Sequence, residues 1–444
     1  WNRELIEKMG VALGQDARAR GVHILLGPGV NIYRSPMCGR NFEYFGEDPY
    51  LAGQIAANYI RGGQSQDVMA CIKHFAGNNQ EWDRHSVSSD IDERTLHELY
   101  FPAFETAVKE ADVASVMTSY NLLNGVHASE SKYLNYDILR DLWGFEGIVM
   151  SDWTSCYSPL NVATWGVDLE MPLPKCIKPE ILHELVRTGA LDVRYLDRKC
   201  QHIIQTILAY GFDKREQLDT SIPENNPYSD KVSHEISREA IVMLKNEDDF
   251  LPVRKGNFVV CGPNADRIVT GGGSGFVTPI VNTSVAEGFR TIDKRVKCTV
   301  LPTEIKDNLG TEVKVELFSG LELSGTPVKT YISDKVFLSQ AAAEAHEDVV
   351  MENVSSRHTF SYTPSSAETL KVYASGNDGI RLYINGECMV NRWDGFSWNR
   401  ENFLYDFKKG QTYEFVVEHF NRSGSIGLEL QFENMQLTNP EAIK

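Results

Sequence analysis

Over residues 1–210 the chain alternates between two periods, and this alternation narrows the folds open to it. Short apolar runs recur: "VHILLGP" (Val22 to Pro28), "VMACIKHF" (Val68 to Phe75), "VASVMTSY" (Val113 to Tyr120), "GIVMSDW" (Gly147 to Trp153) and "WGVDLEMP" (Trp165 to Pro172). Helix-like stretches such as "DERTLHELYFPAFETAVKE" and "YDILRDLWG" lie between most of them. Strand alternating with helix implies an α/β fold with a parallel sheet buried on both faces. Each run ends in, or is followed by, polar residues. In a (β/α)8 TIM-like barrel that end is where chemistry gathers, because the βα loops form the open face. A doubly wound sheet fits the alternation almost as well. A typical barrel has ~250 residues, so a barrel over residues 1–211 is expected to lack an upstream strand or two.

Residues 212–231, "FDKREQLDTSIPENNPYSDK", are polar and proline-bearing and read as a linker. A second α/β unit is expected from 232 to 309. It opens with the amphipathic "SHEISREAIVMLKNE", then "FVVCGPNA" as a strand running into a turn, and then "TGGGSGF". Those glycines match neither the phosphate-loop pattern nor G-x-G-x-x-G. From 310 to 436, alternating segments such as "TLKVYAS", "IRLYING" and "TYEFVVEHF" are separated by "GNDG", "NGE" and "KKGQ". Period-two runs with closely spaced turn signals predict an antiparallel β-sandwich or barrel. Residues 437–444 are expected to return toward the α/β sandwich domain.

A net charge of −17 over 444 residues argues against nucleic acid, whose phosphates require a basic surface, and suits a neutral substrate. No run approaches the ~18–20 apolar residues of a membrane span. The eight cysteines are scattered without a C-x-x-C pair, which favours free buried thiols over a disulfide framework or zinc site. No cofactor and no metal are expected. The N-x-S triplets at Asn282, Asn353 and Asn421 locate nothing by themselves. The chain opens as a helix already under way, without an initiator Met or signal peptide, so the true N-terminus is expected upstream and the compartment stays open. So does a homo-oligomeric state.

Asp152 ends a buried strand. A carboxylate there can attack an electrophilic sugar carbon, or it can cap the next helix. Lys73 and His74 close another strand. A buried ammonium needs a carboxylate or hydroxyl partners, and the pair could bind sugar hydroxyls or reach solvent at the rim. Arg40, in "GRNFEYFGEDPY", fits a loop folded over a pocket or a surface ion pair. Met117 and Tyr120 read as core residues at first sight.

Together these pieces resemble glycoside hydrolase family 3, the β-glucosidase and β-xylosidase family. "LLGPGVNIYRSPMCGRNFEYFGEDPYLAG", "CIKHFAGNNQE", "VMTSYNLLNGVHASE", "GFEGIVMSDW" and "SREAIVMLKNEDDFLPV…GPNA…GGGSG" match its pattern in order and spacing over about residues 1–290. The module carrying "GNDGIRLYINGE" resembles a PA14 domain, which some members insert into their second domain. The resemblance makes Asp152 the nucleophile. It makes Lys73, His74 and Arg40 a sugar-hydroxyl clamp, and Tyr120, Trp153 and Met117 pocket residues. It implies a retaining exo-acting β-glycosidase, acting on terminal non-reducing β-linked sugars of oligosaccharides or aryl and alkyl β-glycosides. The nucleophile and a second carboxyl should stand ~5–5.5 Å apart. Cations such as Lys73 should hold the Asp152 pKa down.

In members resembling this chain the acid/base glutamate lies beyond the PA14 insertion, so it is expected after residue 444, in a remaining C-terminal part of the same enzyme. The chain thus reads as an interior fragment. Two other readings are open. In the family's β-N-acetylglucosaminidase branch a His–Asp pair supplies the acid/base, and "EWDRH" offers Asp83 and His85. A non-catalytic carbohydrate-binding protein is the other. Trp393, Phe396 and Trp398 could stack on distal sugars or pack in hairpins.

Overall fold

The computed structural model describes residues 1–252, 305–339, 352–393, 398–422 and 426–434, with shorter stretches at 257–261, 264–265, 275, 277–280, 283–292 and 297–301. The "GGGS" run at 271–274, Phe396 and the expected return toward the α/β sandwich domain at 437–444 fall outside the described residues. The chain divides into two compact units, Trp1–Lys245 and Asn246–Lys444.

The first unit is built on four parallel strands in chain order. They are β1 (Ile24–Leu25), β2 (Met69–Phe75), β3 (Ser115–Thr118) and β4 (Ile148–Met150). The register pairs Ile24 with Met69, Cys71 with Ser115, and Met117 with Met150. Helices α1 (Arg3–Arg18), α2 (Pro49–Gln64) and α3 (Pro102–Ala111) form in the stretches before and between these strands. Each start has a local cause. Asn2 and Asp48 cap α1 and α2 by accepting from the Leu5 and Leu51 amides, and Pro49 sits at the first turn of α2, where no amide is needed. Helices α1 and α2 approach so closely that a Cβ on Gly62 would overlap the Glu7 carbonyl. One core spans the strands and helices, with Ile60, Ile72, Phe75, Phe101, Phe104 and Leu139 fully or almost fully buried.

The described sheet has four strands, fewer than the eight of a closed barrel. The run at 165–172 comes alongside β4 without becoming a full strand. Leu169 N donates to Val149 O, Ser151 N donates to Leu169 O, and Met150 bridges Leu169 in parallel. The Asp168 side chain takes the Val149 amide, and Pro172 has no amide to continue the ladder.

Residues 212–231, read from sequence as a linker, are tied to the first unit. The Gln217 amide donates to Val22 O and Asp67 O, Asp219 N donates to Arg18 O, and Asn226 donates to Gln15. Helix α4 (Pro227–Ala240) follows, with Ser229 bonded to Asp16. In the second unit, Asn257–Cys261 and Lys297–Leu301 pair in parallel, and a helix at Val285–Ile292 lies between them in sequence.

Downstream, all strand pairing among the described residues is antiparallel. A six-stranded sheet contains β5 (Val313–Ser319), β6 (Val354–Tyr362), β7 (Gly379–Ile384) and β8 (Tyr413–Asn421). A five-stranded sheet contains Glu368–Gly376, Asn399–Phe407 and Gly427–Asn434. Val315, Leu382 and Val417 from one sheet and Val372, Leu428 and Phe432 from the other make a single core, as in a β-sandwich. Trp393 packs edge-on against Phe420 beneath the Arg381 guanidinium, whereas Trp398 is exposed.

Candidate active site

The C-terminal ends of β2 and β4 bring the candidate residues together. Lys73 and His74 are among the last three residues of β2. Asn31 fixes that strand end from both sides: its Oδ1 accepts from His74 N at 2.8 Å and its Nδ2 donates to His74 O at 3.0 Å. Asp152 lies two residues past β4. Gly147 lets β4 begin close to its neighbour, because a Cβ there would overlap the Ala114 carbonyl. Arg40 sits in the loop after β1, just ahead of a 3-10 turn at Asn41–Glu43.

Asp152 is 5% exposed, and its two oxygens differ. Oδ1 accepts from the Trp153 amide at 2.7 Å. Oδ2 is buried and makes no hydrogen bond of ordinary geometry among the described residues; Arg40 Nη1 stands 3.8 Å away and His74 Nε2 3.6 Å away, and the Tyr120 hydroxyl acts on the carboxylate as a longer donor. The carboxylate is thus half-anchored to its own loop, with one oxygen left toward the basic residues.

Burial raises the Asp152 pKa above the ordinary carboxylate value. The Trp153 amide, the Arg40 charge, the Tyr120 hydroxyl and Arg84 oppose that shift without cancelling it. The expected depression by Lys73 is not what the structure gives: the Lys73 ammonium pairs with Glu43 at 3.6 Å. Burial, and then Arg40, Lys73 and Arg84, push His74 well below its ordinary value. The imidazole is therefore neutral, and its approach to Asp152 is that of a hydrogen-bond group rather than an ion. Its Nδ1 lies 3.3 Å from the Tyr44 hydroxyl. Burial opposes the Arg40 charge, but the hydrogen bond to Glu43 and the charges around it outweigh burial and raise its pKa. Burial and then Asp152 raise Tyr120, which stays a phenol and can donate.

The other expected site residues fall into two groups. Tyr120 is buried, with the Arg84 guanidinium 3.9 Å from its ring centroid and the His85 ring at its edge. Trp153 is 51% exposed. Met117 is buried among Cys71 and Met150 inside the sheet, a packing position. The Asp83–His85 dyad does not form among the described residues. His85 Nδ1 bonds the Tyr157 hydroxyl at 2.7 Å. Asp83 is exposed, with a left-handed backbone (φ 48°) and a carbonyl that accepts from Ser86 and Val87 in a turn.

Sequence reasoning missed Glu43, which binds both Arg40 and Lys73. Its signal was the i, i+3 spacing from Arg40 in "GRNFE". It also missed Glu130 and Glu170, buried carboxylates that accept the Tyr157 and Ser158 amides and the Cys176 and Ile177 amides respectively. They fix loops after the strands rather than facing Asp152.

Known proteins bear on this arrangement. A thermostable beta-glucosidase B of Acetivibrio thermocellus is 38% identical over 380 residues, covering 79% of this chain and 49% of the relative. A beta-glucosidase of Rhizobium radiobacter is 38% identical over 423 residues, covering 91% and 50%. An exo-alpha-(1->6)-L-arabinopyranosidase of Bifidobacterium breve is 43% identical over 302 residues, covering 64% and 38%. The crystal structure of a Kluyveromyces marxianus beta-glucosidase in complex with glucose superposes with TM-score 0.70 at 26% identity, covering 97% of this chain and 56% of that one. The chain spans about half the length of the first two curated relatives. Residues 1–206 match the model of the glycosyl hydrolase family 3 N terminal domain, and that stretch carries every residue of the Asp152 cluster.

Proposed function

We propose that the protein containing this chain is a retaining, exo-acting β-glycosidase of β-glucosidase type, with Asp152 as its nucleophile. The observation that supports this reading is the free Oδ2 of a buried carboxylate, facing Arg40 and a neutral His74 at the end of a parallel strand. In the first step Asp152 Oδ2 attacks the anomeric carbon, the bond to the aglycone oxygen breaks, and a glycosyl ester forms. Water then cleaves the ester and returns the carboxylate. Arg40, Lys73 and the Nε2 of His74 are assigned to the sugar hydroxyls, and Tyr120 and Trp153 to the pocket wall. Met117, which is buried, would act by packing. A second carboxyl must protonate the leaving oxygen, and by resemblance to the family it is assigned to sequence beyond Lys444. We read the parallel strands as part of a TIM-like barrel, and the antiparallel unit as a PA14-like module.

The test is covalent trapping of the full-length protein with a 2-deoxy-2-fluoro-β-glucoside bearing an activated leaving group. A mass increase of one fluorosugar mapped to the Asp152 peptide is expected, and Asp152→Asn should take no label. Binding without an adduct would favour a carbohydrate-binding protein. Nitrophenyl glucoside, xyloside, N-acetylglucosaminide and L-arabinopyranoside turnover would then rank the sugars, the last because of the name of the B. breve relative.

A further inference from the structure

We propose that Glu43 is a positioning residue for the nucleophile: by gripping Arg40 and Lys73 it holds both cations short of Asp152 and leaves one carboxylate oxygen free for the sugar. The inference rests on reading Asp152 as the nucleophile and concerns what keeps that group competent.

A guanidinium beside a carboxylate ordinarily closes a bidentate pair at about 2.7–2.9 Å. Arg40 does not close one on Asp152. Its Nε edge is taken by Glu43, and what reaches Asp152 is Nη1 at 3.8 Å, beyond hydrogen-bond distance. The Lys73 ammonium is drawn to the other oxygen of Glu43 at 3.6 Å. The side chains of Arg40, Lys73 and Glu43 are only 12%, 14% and 16% exposed, so water screens these charges weakly. With His74 neutral, Arg40, Lys73, Glu43 and Asp152 carry the charge of the cluster; Arg84 also acts on Asp152 but is paired with Glu81 at 2.7 Å, and the Tyr120 hydroxyl is the neutral donor facing the carboxylate.

Removing the Glu43 charge leaves two cations facing one carboxylate. Arg40 is then free to rotate its fork onto Asp152 and occupy Oδ2, the oxygen that must approach the anomeric carbon. An ion pair closed in the ground state stabilises the resting enzyme more than the transition state and slows the step. It also makes Asp152 a stronger acid.

The experiment uses the full-length protein and 2-deoxy-2-fluoro-β-glucosyl fluoride, with the second-order rate of covalent labelling followed against pH. For Glu43→Gln, the plateau rate should fall about tenfold or more. The acidic limb should move to lower pH by about one unit, a tenfold change in the ionisation constant, with the adduct still on Asp152. Glu43→Asp, which keeps the charge, should hold its limb near the wild-type position. Should Glu43→Gln not fold, Glu43→Ser removes the charge with less bulk and takes its place. A wild-type rate with an unmoved limb overturns the proposal. So does an equal loss at every pH with an unmoved limb, which is what a merely structural prop would give. A limb displaced as far in Glu43→Asp as in Glu43→Gln overturns it too. Label found on a residue other than Asp152 in the wild type would refute the nucleophile assignment itself, a separate failure.

Discussion

Asp152 is costly to keep charged. Burial raises its pKa in the folded chain above the unfolded value of about 3.9. A carboxyl shifted this way favours folding most below the unfolded value, and that contribution is lost as pH rises through the folded value. At neutral pH the native state therefore carries an ionised group it would rather hold protonated. Asp152→Asn should abolish turnover, by more than about 10³-fold, while the Tm at pH 7 stays level or rises by a few degrees. The Tm difference from wild type should shrink as pH is lowered. Thermal scans at several pH values check this, and a marked loss of Tm at pH 7 would show that the carboxylate is a structural cap instead. The strand ends in "GIVMSDW" and "CIKHF" were legible as places where polar residues close buried strands, but that pattern left Asp152 equally open to capping a helix, and only the family resemblance singled it out. Its acidity was not legible. Sequence counts the cations nearby but not that Glu43 takes two of them, nor how much water is lost.

The two strand ends illustrate how elements deliver chemistry. β2 and β4 are fixed by their register with β3 and by side-chain clamps such as Asn31, so Lys73, His74 and Asp152 converge from positions about 80 residues apart in the chain. Alternating apolar runs were enough to place those strands; nothing in the pattern marked Asn31 as a clamp. In the sandwich the informative element pair is β6 with β8. His358 and His419 are fully buried there, with burial lowering their pKa values to about 3 and about 4, and His419 pressing further on His358. Their unfolded value is about 6.5. A group whose folded pKa is lowered in this way binds protons more readily once unfolded. The stability of the neutral pair is present above about pH 6.5 and is lost as pH falls toward the folded values. Acid should therefore unfold this sandwich between about pH 6 and pH 3. Replacing His358 with Gln should lower the acid midpoint by about half a unit, read by circular dichroism during titration. An unchanged midpoint would mean that carboxylates elsewhere govern the acid transition.

At the scale of the chain, the contact boundary after Lys245 lies beyond the polar stretch read as a linker. The reason is that Gln217 and Asn226 satisfy groups of the first unit, a use of polar side chains that composition cannot distinguish from solvation. The same accounting limits what this chain does chemically. Beside Asp152, four carboxylates on the loops around the strand ends are engaged, one of them Glu81, which holds Arg84 and Asn78. Glu43 holds Arg40 and Lys73, Glu130 holds two backbone amides, and Glu170 holds two more. Oxygens already engaged by cations and amides are not placed to serve a leaving alkoxide. On the proposed reading of Asp152 as nucleophile, none of these four carboxylates is free to serve as its proton donor. Leaving-group dependence separates the two roles. Dinitrophenolate and fluoride depart without protonation, whereas methoxide cannot. The 444-residue chain should therefore release a burst of dinitrophenolate stoichiometric with Asp152, yet cleave methyl β-glucoside about 10²–10⁴-fold less well than the full-length protein, the usual contribution of a general acid. Parallel rates for the two glucosides, with methyl glucoside turnover falling on the alkaline side, would place the donor within residues 1–444 and reassign one of these four glutamates.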